Sequence, residues 1–467
     1  MRRILRARPV AAGLVLLAAA VTAAGCSSSS STSTGSGSSS APSTSASPST
    51  SSSGSGSTSE SPSGLPLGAP LTVAQQAAIL AKYTGGKVGK ATGAPIELGW
   101  VNTDTGLSAF PVFTEAAKAA VAFVNNNLDG VNGHPIKFVT CSIASEEDGT
   151  SCGSTFVNDP NLHAVIESVL IAGSDTFFKT INNTKAVVQV SANSPADLDP
   201  YPGQTPNVFT LNAGSVGGYA AQVTYAVKYE HIKKMLLIGE DDPAVREGYA
   251  SLAKELAGFG IQTKSVFTTP GAGASQIAAD LQGVQATSYD GWFNSSDQQT
   301  CANVYAYAQQ AGMPKLLIGS ECNGSLFKSQ YGSWSPKDLV FPDLGWNVFL
   351  PNETPQQDAI NYAISEGVPT GNDPYSEGDS FYSVLNTVRA MNAAGTKQTT
   401  AGIATAIRGL KAPILGNAGS GFDCGAVANY PTICGDVSGL VEYNGTSYVR
   451  ISPSKTVPDL QVWQFKS

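Results

Sequence analysis

Cysteine is the residue type whose count and spacing carry the most chemical information in this chain. There are seven cysteines among 467 residues. In an exported protein, an odd number indicates a free thiol, an intermolecular disulfide or a modified cysteine. Cys26 stands apart from the others, directly before a run of serines in the stretch VTAAGCSSSSSTST. Cys26 is therefore the candidate for chemical modification.

The remaining six cysteines fall into three couples that are close in sequence. In an oxidising compartment this spacing predicts three disulfides, although six cysteines formally allow other connectivities. No couple has the CxxC spacing of a zinc site and the histidines are isolated, so no metal site is expected. The predicted disulfides are Cys141–Cys152, Cys301–Cys322 and Cys424–Cys434.

Residue patterns that support catalysis are sparse. The three histidines accompany neither a GxSxG elbow nor a paired-carboxylate arrangement. Gly89 and Lys90 resemble part of a phosphate-binding loop, but Ala91 stands where serine or threonine is required. The glycine that should precede them is replaced by Thr84. We therefore expect no enzymatic activity and no cofactor.

The N-terminus has the three parts of a secretory signal. Four arginines precede an apolar stretch at 10–21 that is too short to span a bilayer comfortably. Small residues then precede Cys26, which resembles the lipobox of bacterial lipoproteins, although Ala23 stands where leucine is most frequent. We predict a signal peptide over 1–25 and lipidation of Cys26, which would anchor the chain outside the cytoplasm on the cell membrane. The alternative is ordinary signal-peptide cleavage, which would leave a stray thiol.

Residues 26–64 have the composition of a flexible tether. After Cys26 they contain only serine, threonine, glycine, proline, alanine and the single Glu60. Such a segment cannot bury apolar surface, so it is predicted to be disordered. As a flexible coil it would reach roughly 35 Å, which suits a leash between a lipid and a soluble body.

The charge of the mature chain is acidic. Removing 1–25 removes four arginines and no acidic residue, which leaves 23 basic against 35 acidic residues and a net charge near −12. An acidic surface argues against nucleic acid and anionic lipid as partners.

The rest of the chain alternates strand and helix patterns. Residues 65–94 predict an accessory helix and linker, with Thr72 and Gly85 as its caps. From residue 95, short apolar runs such as IELGWV alternate with helical segments, which predicts βαβ units and parallel sheets. Residues 95–467 are too many for one core, so two α/β lobes are expected. A β-rich tail follows two consecutive helices, with Asn444-Gly445 as a hairpin turn.

Four stretches of the chain carry a family resemblance. They are AAKAAVAFVNNNLDGVNGHPIKFVTC, VVQVSANSPADL, KLLIGSECNGS and DSFYSVLNTVRAM. In this order and spacing they resemble the leucine/isoleucine/valine-binding branch of the type I periplasmic binding proteins, and the resemblance extends over nearly all of 95–467. It implies an α/β fold of two Rossmann-like lobes with parallel sheets, joined by three hinge crossings that close over a ligand.

The resemblance also implies where the lobes begin and end. The N-terminal lobe would comprise 95–212 plus 346–437, and the C-terminal lobe 213–345 plus 438–467. The three crossings would fall near 211–213, 344–347 and 436–440.

By the same resemblance, the ligand lies between the lobes at the carboxyl ends of the strands. An amino acid needs both of its charged groups neutralised there, because burying an unpaired charge is costly. Ser174 and Ser194 would bind the carboxylate, while Ala192 and Glu321 would bind the ammonium group. The two serines could instead cap helices, and Glu321 could be a solvated loop acid. The other predicted ligand contacts are Thr105, Gly173, Asn193, Asn294, Asp297 and Tyr375.

The sequence does not decide which residues would contact the side chain of the ligand. Trp100, Phe110 and Trp292 could contact the ligand, but an aromatic beside a strand is more often part of the core. Asn193 adds a polar group beside Ser194, which departs from the family pattern and favours a wider or more polar ligand than leucine.

The sequence thus predicts a lipid-anchored, extracytoplasmic solute-binding protein of an ABC importer. It would act as a monomer, capture a branched-chain-like amino acid or a related small polar solute, and deliver it to permease subunits. The alternatives are a ligand-sensing lipoprotein that feeds a membrane receptor or kinase and, less favoured, a secreted hydrolase.

Overall fold

The structure is a computed structural model. It describes residues 70–106, 109–192, 195–318, 339–343, 354–367, 374–396, 398–417, 422–427, 430–435, 437–443, 448–451 and 460–461. All of these residues belong to one unit of the chain, Thr58–Ser467.

A capped helix, α1 (Val73–Thr84), precedes the first strand. Thr72 is its N-cap and forms a capping box with Gln75, while Gly85 ends the helix in the left-handed conformation. Both predicted caps are therefore confirmed. Apolar residues of α1 pack in a hydrophobic cluster together with residues of the first sheet, and Leu80 is completely buried there. The segment predicted as accessory is thus part of the core.

Five parallel strands form the first sheet, which confirms the predicted α/β class. Their order is second, first, third, fourth, fifth. The fifth strand was not predicted, because three residues are too few to show a pattern. The strands are β1 (Ile96–Asn102), β2 (Ile136–Ser142), β3 (Leu162–Glu167), β4 (Ala186–Gln189) and β5 (Val208–Thr210).

Helices cover both faces of this sheet, so its strands are apolar on both sides. Trp100 and Ile166 point into the cluster that includes α1, while Val101 and Val165 point into a second cluster on the opposite face. The connecting helices are α2 (Pro111–Asn127), α3 (Glu146–Asn158), α4 (Ser174–Ile181) and α5 (Pro195–Leu198). Phe113 of α2 lies in the first cluster, and α3 and α4 supply the second.

The second sheet joins five parallel strands to antiparallel strands at its edge. The parallel strands are β6 (Lys234–Glu240), β7 (Gln262–Thr268), β8 (Gly291–Ser295), β9 (Lys315–Ile318) and β10 (Leu339–Asp343). The antiparallel strands are β11 (Val437–Tyr443), β12 (Tyr448–Arg450) and β13 (Leu460–Gln461). The described order is β12-β11-β10-β9-β8-β6-β7, with β13 also on β11. Tyr443 pairs with Tyr448 across β11 and β12, as the predicted hairpin requires.

Helices on the second sheet follow the predicted alternation. They are α6 (Gly214–Lys228), α7 (Pro243–Gly258), α8 (Ala274–Gly283) and α9 (Gln298–Ala311). Three later helices, α10 (Pro355–Gly367), α11 (Pro374–Ala394) and α12 (Thr400–Arg408), return to the first sheet and pack in the cluster that holds α1.

The chain passes from the first sheet to the second between β5 and β6, and it enters the second sheet again at β11. These two passages lie side by side. The amide of Thr210 donates to the carbonyl of Thr432 at 2.8 Å, and the amide of Cys434 donates to the carbonyl of Thr210 at 2.9 Å. The lobe limits predicted from the resemblance stay a prediction.

Two of the three predicted disulfides are present, between Cys141 and Cys152 and between Cys424 and Cys434. Cys301 is also disulfide-bonded. Its predicted partner, Cys322, lies outside the described residues, as does Cys26. Among the helices that the structure describes, none combines the length and hydrophobicity needed to cross a membrane.

Candidate functional site

Several predicted ligand contacts follow strands of the first sheet. Gly173 and Ser174 come after β3, and Ala192 comes after β4. Because the strands are parallel, these residues share the carboxyl edge of the sheet. Ala192 is completely buried and packs with Leu198 and Ile433. The structure therefore brings three of the predicted contacts to one edge.

Gly173, the N-cap of α4, has a backbone conformation that requires glycine. Its φ angle is +73°, and a Cβ atom there would lie 2.4 Å from the carbonyl oxygen of Ser145. Its amide donates a hydrogen bond to Oε1 of Glu146 at 3.1 Å. A carboxylate thus already occupies this helix N-terminus, where negative charge is favoured.

Ser174 is the first residue of α4, and it does not cap the helix. The N-cap is Gly173, which makes no side-chain capping bond. The Ser174 hydroxyl donates instead to the carboxylate of Asp197 in α5. The capping alternative considered for Ser174 is therefore wrong, since the hydroxyl links the loop after β3 to the short helix after β4.

Two buried acidic residues lie at this edge of the sheet. Glu167 ends β3 and Asp197 lies in α5, and each side chain is 1% exposed. Burial and the neighbouring negative charge of Asp197 raise the pKa of the Glu167 carboxyl well above its ordinary value, and the amide of Gln189 only partly opposes them. The hydroxyl of Thr210 donates to Oε1 of that amide at 2.7 Å.

A second polar network lies at the end of β1. Nδ2 of Asn102 donates to Oδ1 of Asp104 at 2.7 Å and to the carbonyl of Phe110 at 2.8 Å. The hydroxyl of Thr114 donates to the same Asp104 oxygen at 2.6 Å and accepts from Nε1 of Trp100 at 2.8 Å. This network fixes the loop that carries Thr105, whose own side chain is exposed.

The second sheet presents polar residues at the ends of β6 and β8. Asn294 is completely buried and accepts a hydrogen bond from the hydroxyl of Ser296 at 2.9 Å. Asp297 is the N-cap of α9, and its Oδ1 accepts from the amides of Gln299 and Thr300 at 2.8 and 3.1 Å. Burial acts to raise the pKa of the Asp297 carboxyl, but interactions with Glu240 and Thr300 outweigh it and lower that pKa. A capping role for Asp297 is thus visible, and its ligand role stays a prediction.

The aromatic candidates divide between core and edge. Trp100 and Trp292 are buried in the hydrophobic clusters of the first and second sheets. Their indole groups donate to Thr114 and to the carbonyl of Pro314. The structure thus supports the core alternative for both. Phe110 is half-buried and packs edge-on against Phe113.

Some predicted contacts cannot be placed. Asn193, Ser194 and Glu321 lie outside the described residues. Tyr375 belongs to the backbone of α11, but its side chain is outside the described part of the chain. No group of acidic, histidine or cysteine side chains suited to a metal ion occurs among the residues that the structure describes.

Sequence reasoning missed the acidic residues under the loops. Glu167 ends the apolar run HAVIES, and Asp197 lies in the stretch SPADL. An ionisable residue that closes a fully buried strand is an available signal, because charged groups are rarely buried without a role. Glu240 carries the same signal, since it closes the buried strand β6, whereas Glu146 stands among other acidic residues at the start of α3.

Comparison with known proteins identifies the architecture. A family model described as "Periplasmic binding protein" matches residues 95–425, which is most of the chain. The chain belongs to the periplasmic binding protein family. Periplasmic binding proteins are extracytoplasmic solute-binding proteins, and the two-sheet α/β architecture is their type I fold. No curated protein sequence matches the chain significantly.

Solved structures of this fold are similar over most of their length. One is a branched-chain amino acid ABC transporter protein from Thermus thermophilus with bound valine, at a TM-score of 0.64 and 14% identity, covering 80% of this chain and 97% of that one. Another is a solute-binding protein from R. palustris in complex with benzoate, at 0.63 and 13%, covering 79% and 98%. A fatty acid ABC transporter substrate-binding protein from Thermomonospora curvata reaches 0.62 and 15%, covering 81% and 95%.

Proposed function

We propose that this periplasmic binding protein is the lipid-anchored, extracytoplasmic solute-binding component of an ABC importer. It captures a small polar solute between its two lobes and delivers it to permease subunits. The observation that carries the proposal is the family match over 95–425 on a chain whose two parallel sheets both end in buried polar residues. The importer role is supported by the names of the similar structures, which are ABC transporter proteins.

The solute is an amino acid or a related small polar molecule. Similar structures hold valine and benzoate, and a third is named for fatty acids, so the feature that these ligands share is a carboxylate. In this chain the described loops at the site are acidic, since Glu146 accepts from the amide of Gly173 and Asp197 accepts from the hydroxyl of Ser174. An acidic surrounding favours a ligand that also carries a positive charge, which an amino acid does and benzoate does not.

Native mass spectrometry of the purified mature protein tests the proposal for a retained ligand. A thermal-shift panel follows, with L-leucine, L-valine, cationic and polar amino acids, benzoate and a fatty acid as probes. At a concentration of 100 times the Kd, a ligand stabilises the protein by about 2.7 kcal/mol. The proposal expects at least one amino acid to give such a shift, and it fails if no small solute binds.

A charge variant tests the predicted ammonium contact. Glu321→Ala should weaken binding of the amino acid found by the panel by about 3–5 kcal/mol if the pair is buried. Glu115→Gln, on the exposed side of α2, is the matched control and should leave the affinity unchanged. Equal affinity of the two variants would remove Glu321 from the site.

A further inference from the structure

Acidic residues are missing from two long segments of this acidic chain. Residues 61–96 contain three lysines and no acidic residue, and residues 380–422 contain four basic residues and no acidic one. Because seven of the 23 basic residues of the mature chain lie in these segments, the remainder holds 16 basic against 35 acidic residues, a net charge near −19. The negative charge is therefore unevenly distributed along the chain.

The fold packs these two segments against each other beside the first sheet. The first segment contains α1, and the second contains most of α11 and all of α12. The hydroxyl of Tyr83 accepts from the amide of Leu415 at 3.0 Å, and the guanidinium of Arg389 lies 4.8 Å from the centre of the Tyr83 ring. Nδ2 of Asn392 donates to the carbonyl of Thr84 at 3.0 Å. Two segments far apart in sequence thus form one surface.

This surface lies at the amino edge of the first sheet. The amide of Gly89 donates to the carbonyl of Asn127, the last residue of α2, at 3.0 Å, and the chain then turns into β2. In the second segment, the hydroxyl of Thr400 donates to the carbonyl of Thr184, shortly before β4, at 3.0 Å. Because the strands are parallel, both contacts mark the edge where strands begin. The candidate site occupies the opposite edge.

Four lysines of this surface are exposed to solvent. They are Lys82 on α1, Lys87 and Lys90 in the loop after it, and Lys411 after α12. The half-buried Arg389 lies beside them, since its guanidinium donates to the carbonyl of Lys411 at 2.9 Å. We call these five residues the basic end of the protein.

Acidic groups near the basic end are fewer than its cations. Asp129 is half-buried, and its amide donates to the carbonyl of the loop residue between Lys87 and Lys90, Gly89, at 2.8 Å. Glu97, directly after the first segment, forms an ion pair with Lys137 at 2.6 Å.

Helix α10 adds two further acidic residues. It packs beside α1 and carries Asp358 and Glu366, whose side chains lie outside the described residues. Among the described side chains around the two segments, positive charge therefore predominates.

We propose that the basic end faces the membrane and binds the head groups of anionic phospholipids. Each lysine or arginine close to an anionic bilayer surface strengthens binding roughly fivefold. The acidic net charge, which argues against such a partner for the protein as a whole, resides outside the two segments. Val88 is 58% exposed between Lys87 and Lys90, so an aliphatic side chain accompanies the cations into the head-group region.

The course of the chain favours a membrane as the partner of this surface. Helix α1, which carries Lys82, is the first helix after the predicted tether, whose reach as a flexible coil is roughly 35 Å. A lipid on Cys26 would therefore hold the basic end at a high effective concentration near the bilayer, so that a weak contact suffices. The opposite edge, with the candidate site, stays open to solute. This consequence rests on the proposed lipid anchoring.

Lysine labelling on vesicles tests the contact. The mature protein is coupled through the thiol of Cys26 to a maleimide phospholipid in vesicles of phosphatidylglycerol or of phosphatidylcholine, neither of which has an amine. An amine-reactive reagent is then applied at low salt, and peptide mass spectrometry gives the labelling rate of each lysine. Lys82, Lys87 and Lys90 should react at least fivefold more slowly on phosphatidylglycerol than on phosphatidylcholine. About 1 M salt should remove the difference, because the Debye length falls to about 3 Å.

Exposed lysines on the elements of the second sheet are the internal control. Lys228, Lys254 and Lys264 should react at the same rate on both kinds of vesicle. Equal rates for the basic end on both vesicles would overturn the proposal. Equal slowing of the two sets of lysines would also overturn it, because it would show a general effect of the charged surface.

A double variant tests whether charge causes the contact. In Lys87→Gln with Lys90→Gln, the labelling of Lys82 on phosphatidylglycerol should rise to the rate seen on phosphatidylcholine. Lys228→Gln with Lys254→Gln has the same net charge and should leave Lys82 protected. Continued protection of Lys82 in the first variant would contradict an electrostatic contact.

The coupling supplies the tether chemically, so the labelling result does not depend on lipidation in the cell. An unmodified N-terminus of the membrane-extracted protein would refute the anchoring and leave the labelling unchanged. Equal labelling on both vesicles would refute the membrane contact and leave solute binding and anchoring intact. The two proposals therefore fail separately.

Discussion

At the residue scale, the conformation of the loops at the carboxyl edge of the first sheet is set by a few individual contacts. Gly173 lies so close to the carbonyl of Ser145 that no side chain fits, and its amide is engaged by Glu146. Ser174, the next residue, is held by Asp197. The geometry of the predicted carboxylate contact is therefore set by neighbours that are themselves acidic.

Gly173→Ala tests the first of these contacts. Alanine must adopt a positive φ and place its Cβ 2.4 Å from an oxygen, so we expect the free energy of unfolding to fall by about 2 kcal/mol or more. Urea denaturation measures the change.

Gly248→Ala is the matched control. Gly248 lies inside α7 with open space around its Cβ position, so alanine should raise the free energy of unfolding by about 0.5–1 kcal/mol. Loss of stability in both variants would show that the Gly173 contact is not specific.

At the element scale, one tyrosine adds polar contacts to the apolar packing that holds α1 in the first cluster. The hydroxyl of Tyr83 donates to Oδ1 of Asn386 in α11 and accepts from the amide of Leu415 at 3.0 Å. The guanidinium of Arg389 lies 4.8 Å from the centre of its ring. A helix that precedes the family match is thus tied to helices inside it.

Tyr83→Phe should lower the free energy of unfolding by about 1–3 kcal/mol, because it leaves a buried acceptor and a buried amide without a partner. Chemical denaturation measures this. Tyr229→Phe is the control, since the Tyr229 ring stacks on Tyr225 and its hydroxyl makes no hydrogen bond within the described part of the chain. Equal stability of both variants would mean that α1 is held by its apolar face alone.

The Cys424–Cys434 disulfide closes a short segment beside the two passages between the sheets. Replacing both cysteines by serine should cost about 2–3 kcal/mol of stability, mainly through the entropy of the unfolded chain. Denaturation in the absence of reductant gives the value. An unchanged free energy would show that the surrounding hydrogen bonds hold this segment without the covalent link.

At the scale of the whole molecule, the thiols of the mature protein report on its processing. If Cys26 is lipidated and the other six cysteines are paired, membrane-extracted protein should gain no label from an alkylating reagent under denaturing, non-reducing conditions. After reduction it should gain six labels. Intact-mass spectrometry counts them.

The number of labels shows whether the predicted lipidation or the predicted disulfide pairing is wrong. One label without reduction would indicate an unmodified Cys26, and two would indicate that one of the three predicted couples is not joined. The solute-binding proposal survives the first outcome, because the tether does not form the site.

Much of the fold could be predicted because its signals are local. Thr72 and Gly85 mark the ends of α1 by their own capping chemistry, and the apolar runs at β1 and β6 mark buried parallel strands. The pairing of Cys141 with Cys152 and of Cys424 with Cys434 follows from closeness in sequence. The three-residue strand β5 was missed because its position depends on the neighbouring β4.

The sequence by itself determined the class of fold, the cysteine couples and the edge of each sheet where polar residues collect, since these depend on periodicity and on strand direction. Only the tertiary structure decided which polar side chains meet. Glu167 and Asp197 are thirty positions apart and both buried, and the charge of Asp197 acts on Glu167 because β3 ends, and the helix after β4 begins, at the same edge. Likewise, Ser174 was predicted as a ligand contact or a cap, and its bond to Asp197 follows from packing between segments. Contacts of this kind depend on distances in space, which the spacing of residues along the chain does not specify.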